Sequence, residues 1–271
     1  MKNLMISVFA LLLAFGPLAA QDLGLYEKQE YRNYGATLPY RILWPKDMKQ
    51  GVQYPLVLNL HGMGNRGGDN EKQLSLGGGL FVRATARNKY PAIVLYPQAP
   101  ESSAFVRIKE GAKALPGGWQ KFTDAGMAKG DLSVELTIYG EMVKELLRQL
   151  IDAGSVDVKR IYLTGVSMGG FTAYKFIADD PDLFAGAIIM AAGTPLPDID
   201  KWAGKTPVWI HHGAGDKVVP VDAARAVVKI LKERKVANYK YSEYPDVAHG
   251  CWVNAFADPD YLPWLFSKSK E

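Results

Sequence analysis

Short apolar runs that alternate with segments of helical periodicity constrain this chain more than any other feature. Tyr54–Leu60 (YPLVLNL) and Ala92–Tyr96 (AIVLY) are continuous apolar stretches of strand length, ending at His61-Gly62 and at Pro97. That is the pattern of parallel strands buried on both faces. Between Asp131 and Ala153 the residues Leu132, Leu136, Tyr139, Val143, Leu146, Leu147 and Leu150 recur three or four apart, as one face of an amphipathic helix requires, and Gly154 is placed to stop it. Arg160–Thr164, Ala187–Ala191, Val208–His211 and Tyr239–Tyr244 read as further strands, and Met168–Ala178, Asp222–Lys235 and Tyr261–Phe266 as further helices. Strands alternating with helices of this length predict an α/β fold with a mostly parallel sheet covered on both faces. Residues 24–44 hold two β-rich stretches separated by Gly35, which predict an antiparallel pair at the sheet edge. No internal repeat or linker divides the chain, so one domain is expected over residues 21–271.

Residues 1–20 read as a secretory signal peptide: Lys2 supplies the positive charge, an apolar run extends from Leu4 to Phe15, and Ala19-Ala20 precede Gln21 as the expected cleavage point. The apolar run is shorter than the roughly 20 residues a membrane span needs. The expectation is therefore a secreted or periplasmic protein with no membrane attachment once the leader is gone. Cys251, the single cysteine, rules out an internal disulfide and a cysteine-rich metal site, and it does not follow Ala20, where a lipid-anchoring cysteine would stand. The formal net charge of +4, lowered by one when Lys2 leaves, is too small to imply nucleic acid. With 48% hydrophobic residues, the chain can build its stability on a buried core.

Chemistry is concentrated at Gly165-Val166-Ser167-Met168-Gly169, which lies between a predicted strand and a predicted helix. A strand-to-helix turn this sharp strains the central residue and needs glycines on either side, so that the strand and helix pass without clashing Cβ atoms. Ser167 is then lifted above the strand ends, the setting of a nucleophile elbow. A serine hydroxyl is a weak nucleophile until a base takes its proton. In this architecture the acid and histidine follow the serine in the chain, which excludes His61 and leaves His211, His212 and His249. Asp216 sits in the loop after the Val208 strand, where parallel sheets present functional groups. His211 and His212 precede it, so His249 is the expected base. Asp246 is the alternative acid, although its place three residues before His249 suits a turn residue. His211, His212 and Asp216 lack further nearby ligands, which argues against a metal reading, and no metal is expected. The oxyanion that forms when Ser167 attacks a carbonyl needs two backbone N–H donors, and these are expected from Met168 and from Met63 in the loop after the Leu60 strand.

With these residues in hand, the chain resembles the compact secreted esterases of the α/β-hydrolase superfamily over nearly all of residues 25–268. It looks most like the group of feruloyl and acetyl xylan esterases, polyhydroxybutyrate depolymerase-like enzymes and predicted peptidases. Leu60-His61-Gly62-Met63-Gly64-Asn65-Arg66-Gly67 is similar to that group's oxyanion-loop segment, in which a glutamate commonly stands in place of Asn65, and His249-Gly250-Cys251-Trp252 is similar to its carboxyl-terminal signature. The resemblance implies the α/β-hydrolase fold, an acyl-enzyme route without a cofactor, and small-molecule or polysaccharide-linked ester substrates, including plant cell-wall esters. Trp119 and Trp252 are candidates to pack against an aromatic acyl group or a sugar ring, or else to fill loop and core space. Pro97–Gly130, with three prolines, five glycines and no sustained periodicity, reads either as a cover beside the site or as a surface insertion. A serine peptidase and a non-catalytic protein that kept the fold stay open as alternatives.

Overall fold

A computed structural model describes residues 22–110, 113–114 and 132–271. The signal-peptide segment, Trp119 and most of the Pro97–Gly130 stretch lie outside the described residues. Eleven strands are described: β1 Glu27–Asn33, β2 Ala36–Leu43, β3 Tyr54–Leu60, β4 Ile93–Pro97, β5 Val106–Glu110, β6 Lys113–Ala114, β7 Leu132–Leu136, β8 Val156–Val166, β9 Gly186–Met190, β10 Val208–Gly213 and β11 Tyr239–Tyr244. The described helices are α1 Gly78–Val82, α2 Ala84–Lys89, α3 Ile138–Asp152, α4 Met168–Asp179, α5 Ile199–Trp202, α6 Asp222–Glu233, α7 Trp252–Ala257 and α8 Tyr261–Phe266.

Eight strands form the main sheet in the order β1-β2-β4-β3-β8-β9-β10-β11. The β1–β2 pair is antiparallel, as its sequence predicts, and its register leaves a two-residue turn at Tyr34-Gly35, both with positive φ (53° and 69°), the backbone a twisted hairpin favours. β2 runs antiparallel to β4, and every pairing beyond that is parallel. Strands β3, β4 and β9 are buried at every position, which is why they read as continuous apolar runs. Successive side chains leave a strand on opposite faces, so Leu56, Leu58 and Leu60 enter one core while Val57 enters the other. Helices α3, α4 and α6 close the first core through residues such as Leu146, Phe171 and Val227, whereas Phe81, Ala255 and Leu265 from α1, α7 and α8 close the second. This is the α/β-hydrolase fold.

One stretch departs from the sequence reading. The helix expected from Asp131 begins only at Ile138, and Leu132–Leu136 is instead a strand, paired antiparallel with β5 in a separate three-stranded sheet of order β6-β5-β7. Leu132 and Leu136 satisfy a helical spacing of four, but with Val134 they equally satisfy an alternation of two. Pairing with Val106–Glu110 decides between the two periods. Thr137 marks the true boundary, because its hydroxyl accepts from the Tyr139 and Gly140 N–H groups as a helix N-cap. The same pairing shows that part of Pro97–Gly130 has regular structure. At the other end of α3 the reading holds: the helix stops at Asp152 and Gly154 takes φ 83°.

The carboxyl ends of β3, β8, β10 and β11 lead directly into His61-Gly62, Ser167, the Asp216 loop and the His249 loop. In sheet order β10 and β11 are neighbours, and β8 and β3 are neighbours, so four separate segments meet along one edge of the sheet.

Candidate active site

Ser167 lies between the last residue of β8 and the first of α4 with φ 52° and ψ −114°, a conformation a residue bearing Cβ avoids at a cost of about 1–3 kcal/mol. The surroundings hold it there. Its N–H donates to Met190 O at 2.8 Å, and a Cβ on Gly165 would collide with the Gly169 carbonyl while one on Gly169 would collide with the Leu60 carbonyl. Strand and helix thus touch backbone to backbone around the serine, which is the reason the sequence needs glycine at both positions.

His249 Nδ1 stands 2.7 Å from Asp216 Oδ2, and His249 Nε2 stands 3.0 Å from Ser167 Oγ. A carboxylate can only accept, so the Nδ1 proton donates to Asp216 and Nε2 presents its lone pair to the serine hydroxyl. Asp216 is fully buried, and its second oxygen, Oδ1, accepts from the Val218 and Val219 N–H groups at 2.8 and 2.9 Å. Burial pushes this carboxyl up. The hydrogen bonds from His212, His249 and Val219 outweigh that push and hold it well below the ordinary carboxylate range, so Asp216 is ionised at neutral pH. The loops bearing acid and histidine are joined by backbone hydrogen bonds, Ala214 N–H to Tyr244 O at 2.9 Å and Gly215 N–H to Val247 O at 3.0 Å. Gly213 makes this possible, since a Cβ there would run into the Val247 and Ala248 carbonyls. Asp246, the alternative acid, is exposed.

Met168 is the first residue of α4 and Met63 the first of the 3-10 turn Met63–Asn65, so neither N–H has a partner within its own helix. The turn lies against the elbow: a Cβ on Gly62 would sit 3.7 Å from Ser167 Cβ. His61 fixes this turn, which the sequence reading did not foresee. Its Nδ1–H donates to Gly62 O at 2.7 Å, and its Nε2 accepts from Ala99 N–H at 2.9 Å. In a trans peptide the C=O and the following N–H point in opposite directions, so pinning the Gly62 carbonyl also aims the Met63 N–H. Arg66 adds a second tie, donating from Nε to Met63 O at 3.0 Å and from a terminal nitrogen to Glu101 O at 2.7 Å. Asn65 bonds to Lys72 O and Ser75 Oγ, a purely local role. Trp252 is half-buried with its ring edge-on to His249 at 5.4 Å, so one of the two tryptophan candidates is at the site. Cys251 is buried, and burial pushes its thiol up to about 12, which leaves it unreactive.

A family model described as phospholipase/carboxylesterase matches residues 47–259, a span that holds the serine, the aspartate, the histidine and both N–H donors. The chain belongs to the phospholipase/carboxylesterase family. A probable SOBER1-like carboxylesterase of Arabidopsis thaliana is 27% identical over 202 residues, covering 71% of each chain. Acyl-protein thioesterase 1 of Debaryomyces hansenii is 26% identical over 123 residues, 44% of this chain and 53% of that one. A solved thermostable esterase superposes with a TM-score of 0.76 at 28% identity, covering 92% of this chain and 64% of that chain. The chain thus spans about half the length of the thioesterase and under two thirds of the thermostable esterase.

Two buried histidines tie the stability of the chain to pH. Burial, reinforced by nearby Arg66 and opposed by the bond to Gly62, lowers His61 to about 4; burial and Lys240 lower His211 to about 3. In the unfolded chain both titrate near 6.5. Between pH 6.5 and 4 the unfolded chain therefore binds protons the fold does not, and stability falls as pH drops, by on the order of 3 kcal/mol for each imidazole at pH 4. The melting temperature is expected to fall steadily over that interval, and His61→Gln to flatten part of the slope. A melting temperature constant from pH 7 to 4 would show that neither imidazole is held neutral.

Proposed function

We propose that this chain is a serine hydrolase of carboxylic esters that works through an acyl-enzyme intermediate. The observation that carries the reading is the relay from Asp216 Oδ2 through His249 to Ser167 Oγ, at 2.7 and 3.0 Å, on a strained strand-to-helix turn. His249 takes the hydroxyl proton through Nε2 as Ser167 Oγ bonds to the ester carbonyl carbon. Asp216 keeps the imidazole in the correct tautomer and stabilises its positive charge. The negative charge on the former carbonyl oxygen is received by the Met63 and Met168 N–H groups. Collapse expels the alcohol, which takes the proton from His249, and a water activated by the same imidazole then releases the acid and restores the serine.

Among ester classes, feruloyl or acetyl esters of plant cell-wall polysaccharide are the substrates we favour. Trp252, half-buried against the core and edge-on to His249, is the aromatic side chain we place beside an aromatic acyl group. The leader-like residues 1–20 support export, to the periplasm or the medium, where such substrates are met. A single experiment tests both parts. The full chain is expressed with its leader, the exported fraction is checked by mass for a start at Gln21, and that material is assayed on methyl ferulate, acetylated xylan, p-nitrophenyl acetate, an S-acyl thioester and a proline-containing peptide amide. Ferulate or xylan ester cleaved best, and lost after fluorophosphonate treatment, is the expected result. Preference for the thioester would move the substrate class toward that named for the Debaryomyces hansenii relative, and cleavage of the amide alone would make the chain a peptidase.

A further inference from the structure

We infer that His212 is a positioning residue for Asp216, a clasp that closes the loop around the buried carboxylate; this rests on the reading of Asp216 as the acid of the relay. His212 is the penultimate residue of β10 and is wholly buried. Its Nε2 lies 2.9 Å from Val219 O. A carbonyl only accepts, so Nε2 carries the proton. The same nitrogen lies 3.4 Å from Asp216 Oδ2, the oxygen that holds His249.

Val219 is therefore gripped twice: its N–H donates to Asp216 Oδ1 at 2.9 Å, and its C=O accepts from His212. The chain leaving Asp216 is folded back onto the carboxylate and locked to the strand from which it came. With Oδ1 fixed by two backbone N–H groups, His212 restricts the remaining freedom of the carboxylate and places a second donor beside Oδ2. A residue serving only to fill this space would be apolar, because a buried imidazole brings a polar atom that must be satisfied. His212 Nδ1 has no hydrogen-bond partner among the described residues, a penalty that space-filling does not explain. Holding Asp216 does explain it.

The test compares His212→Gln, whose amide N–H can reach Val219 O, with His212→Leu, which cannot donate, and with His212→Asn, which is polar but shorter. Three quantities are read on each folded protein: kcat and KM for p-nitrophenyl acetate, the low-field proton resonance of the His249–Asp216 hydrogen bond, and the melting temperature. His212→Leu is expected to lower kcat by on the order of 10²-fold at unchanged KM, as misplacement of a catalytic group does, and to shift or broaden the low-field resonance. His212→Gln should stay within about threefold of wild type with the resonance retained. Should the leucine variant fail to fold, the asparagine variant carries the same expectation. Wild-type kcat and an unchanged resonance in the leucine or asparagine variant would overturn the clasp, as would an equal loss in the glutamine variant. If wild-type turnover proves independent of Ser167 while the resonance still responds to His212, the hydrolase reading falls and the clasp stands.

Discussion

Replacing Ser167 with alanine is expected to lower kcat for p-nitrophenyl acetate by about 10⁵-fold or more while leaving the melting temperature close to that of the wild type. The size of the loss follows from the chemistry, because among the described residues the Ser167 Oγ atom is the hydroxyl that meets His249 Nε2. The small change in stability follows from the backbone. Alanine is as strained as serine at φ 52°, and the Met190 hydrogen bond belongs to the main chain and survives. What is lost is one side-chain hydrogen bond to a partly exposed imidazole, worth about 1 kcal/mol. Single-turnover release of p-nitrophenolate, measured beside a thermal melt, reads both. Activity within tenfold of wild type would mean that another nucleophile acts.

Asp216→Asn is the second large effect, expected near 10⁴-fold in kcat, and the geometry gives its cause. The Val218 and Val219 N–H groups point at Oδ1 and require an acceptor there, so they claim the oxygen of the new amide. Its NH₂ group is thereby turned toward His249 Nδ1, which must then accept. The ring proton moves to Nε2 and faces the serine hydroxyl, leaving no lone pair to take the serine proton. Asp246→Asn serves as the control: that residue is exposed, and activity within about twofold is expected. A comparable loss of kcat in both variants would show that Asp216 does not hold the acid role alone.

The elbow was legible in the sequence because its constraint is local. Gly165 and Gly169 stand where backbone must meet backbone, and an apolar run before and a helical period after give them their setting. Chain order and their places after strands single out Asp216 and His249, and the structure brings the two within hydrogen-bond reach of one another and His249 within reach of Ser167. Leu132–Leu136 was misread because three residues can satisfy two periods at once, and the deciding partner, β5, lies in a stretch rich in proline and glycine. His61 and His212 were passed over for another reason. Each works through a contact the chain order does not reveal, His61 with an N–H 38 residues away and His212 with the carbonyl of a loop it encloses. A histidine at the end of a buried strand, followed by glycine, was the available signal in both cases.

Backbone contact at Gly165 and Gly169 also bears on how a protein of this kind can diverge. The place of Ser167 is set by main-chain atoms of β8, α4 and the end of β3, which every sequence adopting the fold carries. Exchange of side chains along the rim leaves these main-chain contacts in place, provided the two glycines are kept. Selection on substrate preference is in this way uncoupled from selection on the attacking atom, and the binding surface is free to drift around a fixed point.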